Sequence, residues 1–424
     1  MKAVVLAAGK GVRLDPFTEK LPKHLLPVAG SPLIFHTLKS IKAIGIDEVL
    51  IVVHHMKAAI ESALGDGKAF GLKLSYIDQC EALGTGHALK TAETFTGKDP
   101  FLLVYGDLAL KTDVLFRLLQ SYSEQPSDLI GGVSTREVGE YGALEIDRGA
   151  LRKVLEKPPV GGQGIVNAGV YVLSEEIFRA LDEVQKSPRG EVELTSAINL
   201  LLARGHKFMV VPIMDSEWVD VGRPWNLLEA NRILLASQIS ACRIAGDVEA
   251  NVQIRGNAVI EEGASVLSGT YIEGPAWISP GCRVGPNSYI RPFTYLCKGV
   301  RVGNGCEVKG SIIMEASHIG HLSYIGDSVI GPRCNLGAGT ITANLRFDEA
   351  PIRVTIKESK IDTGMRKLGA FLGEGVKTGI NVSLYPGVKV GSETWVAPHI
   401  AVDRDLPPRV LASAKIDLMI RQRR

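Results

Sequence analysis

The apolar positions of the chain fall into two regimes. Through the first half, short runs rich in β-branched residues ("KAVVLAAG", "DEVLIVVHH", "LKLSYIDQ", "PFLLVYGD") alternate with segments of helical spacing such as "PLIFHTLKSIKAIG" and "TGHALKTAETF". Alternation of this kind predicts a parallel or mixed sheet covered by helices, with ligands beyond the carboxyl ends of the strands. Around residue 242 the period changes to six. Val248, Ile254, Ile260, Val266, Ile272, Ile278, Val284, Ile290, Leu296, Val302 and Val308 recur at every sixth position. Four residues after each of the first ten stands a small or medium-sized residue: Val252, Ala258, Ala264, Thr270, Ala276, Cys282, Ser288, Thr294, Val300 and Cys306. One large and one small inward position per hexad predicts the flat faces of a parallel β-helix.

The register slips near Met314, resumes at Ile319 and Ile325, and slips again before Ile330 and Leu336. It returns at Leu372, Leu384, Val390, Val396 and Val402. In a stacked solenoid such slips mark loops that leave the coil, often for function. "GRPWNLLEANRILLASQIS" (222–240) predicts a helix joining the halves. The expected division is a first domain over 1–228, a linker helix over 229–241, a β-helix over 242–403 and a basic, proline-interrupted tail over 404–424.

A chain of 424 residues suits two domains, and 45% apolar with 22% charged content makes both globular. Lys+Arg 48 against Asp+Glu 46 leaves almost no net charge, which excludes a nucleic-acid binder working through a broad basic face. No window suggests a membrane span, and the apolar start is too short and too soon followed by Lys10 and Arg13 for a secretory leader. Six cysteines without a C-x-x-C pair read as reduced and structural, as in the cytoplasm.

The stretch "VLAAGKGVRLDPFTEKLPKHLLP" turns glycine-rich after its strand and carries Lys10, Arg13, Lys20 and Lys23. It fits neither a Walker loop nor a dinucleotide fingerprint. It resembles instead the G-x-G-x-R…P-K signature of the sugar-1-phosphate nucleotidyltransferases. "QCEALGTGHA", "YGD", "YGALEID", "LEKP", "NAGVYV" and "WVDVG" follow in that family's order. Departures are Val12, where the family has a small hydroxyl residue, and His24 after the lysine. The resemblance implies an α/β Rossmann-like domain in which a sugar phosphate attacks the α-phosphorus of UTP. Leu6, Ala7, Ala8, Gly9, Gly11, Gln79, Gly84 and Thr85 would bind the nucleotide, and Gly142, Glu156, Lys157 and Asn167 the sugar phosphate. Arg13 and Lys23 would grip the phosphates, and Asp107 and Asp220 would hold Mg²⁺. The nucleophile is already an anion, so the protein's task is alignment and charge neutralisation rather than base catalysis. Taken singly, each of these residues reads as a strand cap or a solvated charge; the ordered set of motifs outweighs that.

The β-helix could serve only as a stalk. Against this, "IGHLSYIGDSVIGPRCNLGAGTITANLRFDE" (319–349) resembles the acetyltransferase half of the bifunctional N-acetylglucosamine-1-phosphate uridylyltransferase/glucosamine-1-phosphate acetyltransferases. That resemblance implies a left-handed β-helix, a homotrimer and acetyl-CoA as co-substrate. It makes His321 the general base, places Arg291, Lys309, Tyr324 and Asn335 on the sugar phosphate, and places Ala338 and Asn344 on the acetyl-CoA side. The hexad phase adds that Arg291 and Lys309 lie one coil apart, both outward, where stacked strands ~4.8 Å apart would bring two cations together with Glu307 beside Lys309. His318-x-x-His321 lacks a third ligand at zinc spacing. Leu345 follows Asn344 where the bacterial pattern has tyrosine, and the long segment "RFDEAPIRVTIKESKIDTGMRKLGA" resembles the archaeal branch. Two other readings stay open from sequence: a single-activity thymidylyl-, uridylyl- or guanylyltransferase with a structural β-helix, and a non-catalytic regulatory subunit.

Overall fold

The computed structural model of the protein describes residues 1–136, 138–158, 162–415 and 419–421. The chain divides into two compact units, 1–12 with 20–26 and 31–222, and 13–19 with 27–30 and 223–424.

The first unit is built on a nine-stranded mixed sheet. Its strand order is Lys73–Asp78, Glu48–Val53, Lys2–Ala7, Phe101–Tyr105, Gly164–Leu173, Asp128–Thr135, Phe208–Ile213, Ala150–Glu156 and Gly142–Asp147. The first four run parallel, as the strand–helix alternation requires, while Gly164–Leu173 returns antiparallel. Period-two packing is strict on the central strand: Ala3, Val5 and Ala7 enter the core on one face, Val4 and Leu6 the core on the other. Register sets Val53 against Ala7 and Asp78, and Leu6 against Tyr105, so four strands end in a row. Beside them Leu108–Leu110 pairs antiparallel with Trp218–Asp220 in a two-stranded ribbon.

The second unit is a parallel β-helix of the left-handed hexapeptide class, with faces of eight, nine and eight strands. Inward Val248, Val266, Val284 and Val302 stack eighteen residues apart, and the small positions Ala264, Cys282 and Val300 are buried beside them. Val266, Val284 and Val302 are fully buried core residues, and emptying such a position costs on the order of 2–5 kcal/mol. Above Val302 the coil shortens: Ile319 and Leu336 follow at seventeen residues. Both lost residues come from the corner between the third face and the first, where Val308 and Ile313, and then Ile325 and Ile330, stand five apart. On the next coil that corner opens after Thr342 into a long excursion containing the hairpin Arg353–Ile356/Ser359–Asp362, and the coil resumes at Phe371–Leu372. These three departures occur at one corner.

The joining helix runs Pro224–Gln238, with proline in its first turn, and belongs to the second unit rather than forming a separate linker over 229–241. Strand pairing continues beyond residue 403: Leu411–Ala412 lies on Trp395–Val396, so the start of the expected tail is a further coil. Residues 416–418 and 422–424 of that tail lie outside the described residues. Among the described residues, no helix is long and apolar enough to cross a membrane.

Candidate active sites

In the first unit the candidate groups gather where the parallel strands end. Leu6, Ala7 and Ala8 are buried at the end of the central strand, and Gly9 emerges from it. A Cβ on Gly9 would stand 3.0 Å from the Lys23 side-chain end, so glycine lets the backbone approach that ammonium closely without displacing it. Gly11 adopts a positive φ of 71°, which turns the chain after the strand. Lys23 opens a short 3₁₀ turn, Lys23–Leu25, and its Nζ donates to Asp107 Oδ2. Burial raises the Asp107 pKa, but the attraction and hydrogen bond of Lys23 prevail and hold the carboxyl below its usual value. Asp220 sits across the ribbon from Leu108, and Val221 N donates to Asp107 O at 3.0 Å, so the two carboxylates occupy neighbouring positions. The ribbon is anchored by Glu217, whose buried carboxylate takes a bidentate fork from Arg117 at 3.0 and 2.6 Å.

Gln79 continues the row. Its buried amide donates to Gly84 O at 3.0 Å and lies 3.2 Å from His87 Nδ1, which shapes the loop over 80–84. Gly84, at φ 98°, lies so close to Val192 O and Glu191 that any Cβ would collide, and Thr85 Oγ1 accepts from Leu194 N at 3.3 Å. Gly142 pairs with Glu156 across adjacent strands, and Glu156 accepts from Arg189 at 3.0 Å and Thr195 at 3.1 Å. Lys157 follows at φ 45°, its N–H on Tyr141 O at 3.0 Å. Asn167 lies on the neighbouring strand, where Val166 pairs with Ala143, and bonds Tyr171 OH and Gly169 N. Arg13 is in the 3₁₀ turn Val12–Leu14, within the segment that belongs to the second unit.

In the β-helix, Arg291, Lys309, Tyr324 and Asn344 collect on the third face and the corner where the coil departs from its period. Glu307 is in register with Tyr324, and Lys309 with Gly326. Tyr324 folds its hydroxyl over Gly326, where a side chain would collide with it. Asn344 Nδ2 donates to Tyr324 OH at 3.0 Å and to Asp327 Oδ2 at 2.7 Å, and Lys309 Nζ reaches the same oxygen at 2.7 Å. Gly310 makes the room: a Cβ there would stand 2.8 Å from Asp327 Oδ1.

The expected cation pair is thus corrected. Glu307 serves Arg291, at 2.8 Å, rather than Lys309, and Lys309 has Asp327, so each cation carries its own carboxylate. Arg291 Nε remains buried without a hydrogen-bond partner. His321 is exposed on the turn before Tyr324, where its carbonyl accepts from Ser323 Oγ at 2.8 Å and Gly339 N at 3.1 Å; Ala338 lies on that stacked turn. Asn335 stands apart from this group, exposed on the second face between His318 and Lys377.

Comparison with known proteins fits this pair of sites. Residues 2–237 match a family model described as nucleotidyl transferase. A Sulfurisphaera tokodaii protein named bifunctional sugar-1-phosphate nucleotidylyltransferase/acetyltransferase is 41% identical over 96% of this chain and 98% of its own. The chain belongs to this bifunctional nucleotidylyltransferase/acetyltransferase family. A Methanocaldococcus jannaschii member named bifunctional protein GlmU is 40% identical over the full length of both chains. Residues 272–405 also match the model described as GMPPB C-terminal domain. A Bacillus anthracis structure assigned as a glucose-1-phosphate thymidylyltransferase, solved with sucrose, shares 30% identity at a TM-score of 0.50, over 57% of this chain and 98% of its own.

Several residues of these candidate sites escaped the sequence reading. Asp327 lay inside the quoted histidine motif without a role, although it sits at the second five-residue step, which was the available signal. His24, noted only as a departure, is buried beside Lys23, and desolvation first, then the lysine charge, lowers its pKa to about 3, so it stays neutral. Tyr105 and Tyr171, with hydroxyls 3.2 Å apart behind Asn167, and Arg189 on Glu156 had no pattern to betray them.

Proposed function

We propose that the β-helix N-acetylates glucosamine-1-phosphate from acetyl-CoA and that the first unit couples the product to UTP, giving UDP-N-acetylglucosamine and pyrophosphate. The observation that carries this reading is the Lys309–Asp327–Asn344–Tyr324 cluster at the corner where two successive coils lose a residue and the long excursion leaves. A mere stalk has no need of a buried carboxylate there, and burying one is costly unless it is paired. In acetyl transfer the substrate amine attacks the thioester carbonyl, the C–S bond breaks, and the amine proton passes to the imidazole of exposed His321, the side-chain type most often used as a general base. Arg291, with a buried donor lacking an acceptor, and Lys309 would take the phosphate.

In uridylyl transfer a phosphate oxygen of N-acetylglucosamine-1-phosphate attacks the α-phosphorus and pyrophosphate leaves. Lys23 and Arg13 steady the phosphates while the loop over 80–86, held by Gln79, receives the base. Asp107 and Asp220 would hold Mg²⁺, whose preference for one or two carboxylates with substrate oxygens fits this donor pair. Bound there, the ion supplies charge neutralisation. Glu156 and Asn167, fixed by Arg189 and Tyr171, would face the hexose. The assembly proposed is a homotrimer through the β-helix, supported by the exposed apolar side chains Leu322, Ile341, Leu345 and Phe347 around the cluster. Six free cysteines suit the cytoplasm.

The GMPPB-type match over 272–405 favours a second reading, nucleotidyl transfer with a silent β-helix. Incubating purified protein with glucosamine-1-phosphate and acetyl-CoA, then with each nucleoside triphosphate, separates the two. The proposal expects free CoA thiol first and pyrophosphate chiefly with UTP. Pyrophosphate without thiol release leaves the second reading.

A further inference from the structure

The edge strand Lys73–Asp78 of the first unit ends on a carboxylate to which the sites described above give no role. Its partner strand is Glu48–Val53, in register from Glu48 on Lys73 to Val53 on Asp78, and the last bond of that ladder runs from Gln79 N to Val53 O at 2.8 Å. Beyond that bond the chain leaves the sheet. Cys80 turns at φ 63°, in the left-handed region that disfavours a residue with a Cβ. Asp78 steadies this turn, because its Oδ1 accepts from Cys80 N at 2.9 Å. The same oxygen stands 3.2 Å from His54 Nδ1, and Oδ2 accepts from Lys57 Nζ at 2.8 Å. His54 follows the partner strand and Lys57 opens the helix Lys57–Leu64, so one carboxylate ties three segments of the same unit. Lys57 first, then Cys80 N and His54, hold the carboxyl well below its ordinary range, so it stays charged.

We infer that Asp78 is a positioning residue for nucleotide binding, one that touches no substrate and fixes the entry of the loop over 79–85 so that Gln79 meets the base. The alternation of a strand puts Asp78 and Gln79 on opposite sides of the backbone. Gln79, 4% exposed, turns inward to Gly84 O and His87, while Asp78 reaches the other way to His54 and Lys57. A shift of the strand end therefore moves Gln79 directly. Stability is a poor account of the cluster. The side chains of Asp78, His54 and Lys57 are 30%, 33% and 51% exposed, and ion pairs so wetted contribute little to folding. What three partners on one carboxylate supply is a single geometry at the point where the loop departs. This inference rests on the proposed base-binding role of Gln79 and its loop.

The test uses the full chain with Asp78→Ala, Asp78→Asn and Asp78→Glu. Asparagine keeps an oxygen for Cys80 N, whereas glutamate keeps the charge but moves it one methylene away. Pyrophosphate release is read for kcat and for KM of UTP and of the sugar phosphate. Thiol release from acetyl-CoA is the control activity, and hydrogen exchange is read over residues 79–85. Asp78→Ala is expected to raise KM for UTP about tenfold, the scale of a lost charge-assisted hydrogen bond, with kcat, sugar-phosphate KM and acetyl transfer within about twofold. Exchange over 79–85 should be faster, Asp78→Asn should recover most of the UTP KM, and Asp78→Glu should recover less than asparagine does. A UTP KM within about twofold of wild type in Asp78→Ala overturns the inference, and so does an equal loss for both substrates, which marks general damage to the unit. If Asp78→Ala shows no cooperative melting, Asp78→Glu decides, and a wild-type UTP KM there overturns the inference. Gln79→Ala tells this failure from failure of the reading beneath it. If Gln79→Ala leaves the UTP KM unchanged, or the wild type releases no pyrophosphate with any nucleotide, the base-site reading fails and exchange alone decides: unchanged protection over 79–85 in Asp78→Ala then overturns the anchoring.

Discussion

Replacing Asp327 by asparagine removes one charge and no volume at the centre of the cluster of Lys309, Asn344 and Tyr324, the proposed acetyl-transfer site. The Asp327 side chain is 7% exposed and that of Lys309 22%, so their 2.7 Å ion pair is largely shielded from solvent and salt. The substitution loses one charge-assisted hydrogen bond, worth about 1.5–3 kcal/mol, and leaves the Lys309 ammonium facing an amide. The same oxygen also holds Asn344, at 2.7 Å, so one change loosens two groups. Taking about 2 kcal/mol as the loss, the β-helix transition should fall by about 4–8 °C. If that freedom must be frozen again in the transition state, kcat/KM for acetyl transfer drops ten- to thirtyfold, at about 1.4 kcal/mol per decade. The loss should fall mainly on KM for the sugar phosphate, because the proposed role of Lys309 is to bind the phosphate. Thiol release from acetyl-CoA measures it, with pyrophosphate release as the internal control. Wild-type melting and wild-type acetyl transfer in Asp327→Asn would refute the reasoning, as would an equal loss of both activities.

His321→Ala should abolish thiol release and spare pyrophosphate release, while Lys23→Ala should do the reverse; coupled loss in either folded variant contradicts two independent sites. Asp220→Asn, neighbouring Asp107 on the ribbon, should cut nucleotidyl transfer by about a hundredfold, the scale of losing a preorganised electrostatic group, and raise the Mg²⁺ concentration for half-maximal rate. The Glu217 carboxyl is held below its ordinary 4.5 by the Arg117 hydrogen bonds, against its burial. A depressed carboxylate contributes its full stability above the unfolded value and loses it as pH falls through the lower folded one. The melting gap between wild type and Arg117→Met should therefore be widest near neutrality and close below about pH 4.5, as calorimetry across pH would show.

The β-helix was legible because its restraint is one-dimensional: an inward position must be large and apolar in every hexad, and the chain writes that requirement out without a miss from Val248 to Val308. The reading faltered at Thr342 and Thr378, which point inward without being large apolar residues. Their hydroxyls are satisfied inside the coil, Thr342 by Gly326 N at 2.8 Å and Thr378 by Gly337 N at 3.0 Å, so pairing replaced hydrophobicity where the pattern could not show it. Domain limits were missed for a related reason. Hydropathy cannot say that Phe17 is buried against Phe371 rather than beneath its own sheet. Motif residues such as Lys23, Asp107 and Asp220 could be proposed from sequence because chemistry restricts their type, whereas Asp327 and Glu307 partner other side chains. Partners of that sort are visible only after the coil is wound.

The corner with five residues instead of six has a practical consequence for anyone redesigning this scaffold. Inserting one residue after Lys309 and another after Gly326 would restore the six-residue step in those two coils. Such a chain should be at least as stable, because those two coils would then match the layers below them. It should also be inert, since the carboxylate at 327 would be carried out of reach of the ammonium at 309. On the proposed site, the imperfect repeat is what would turn a scaffold into a reagent.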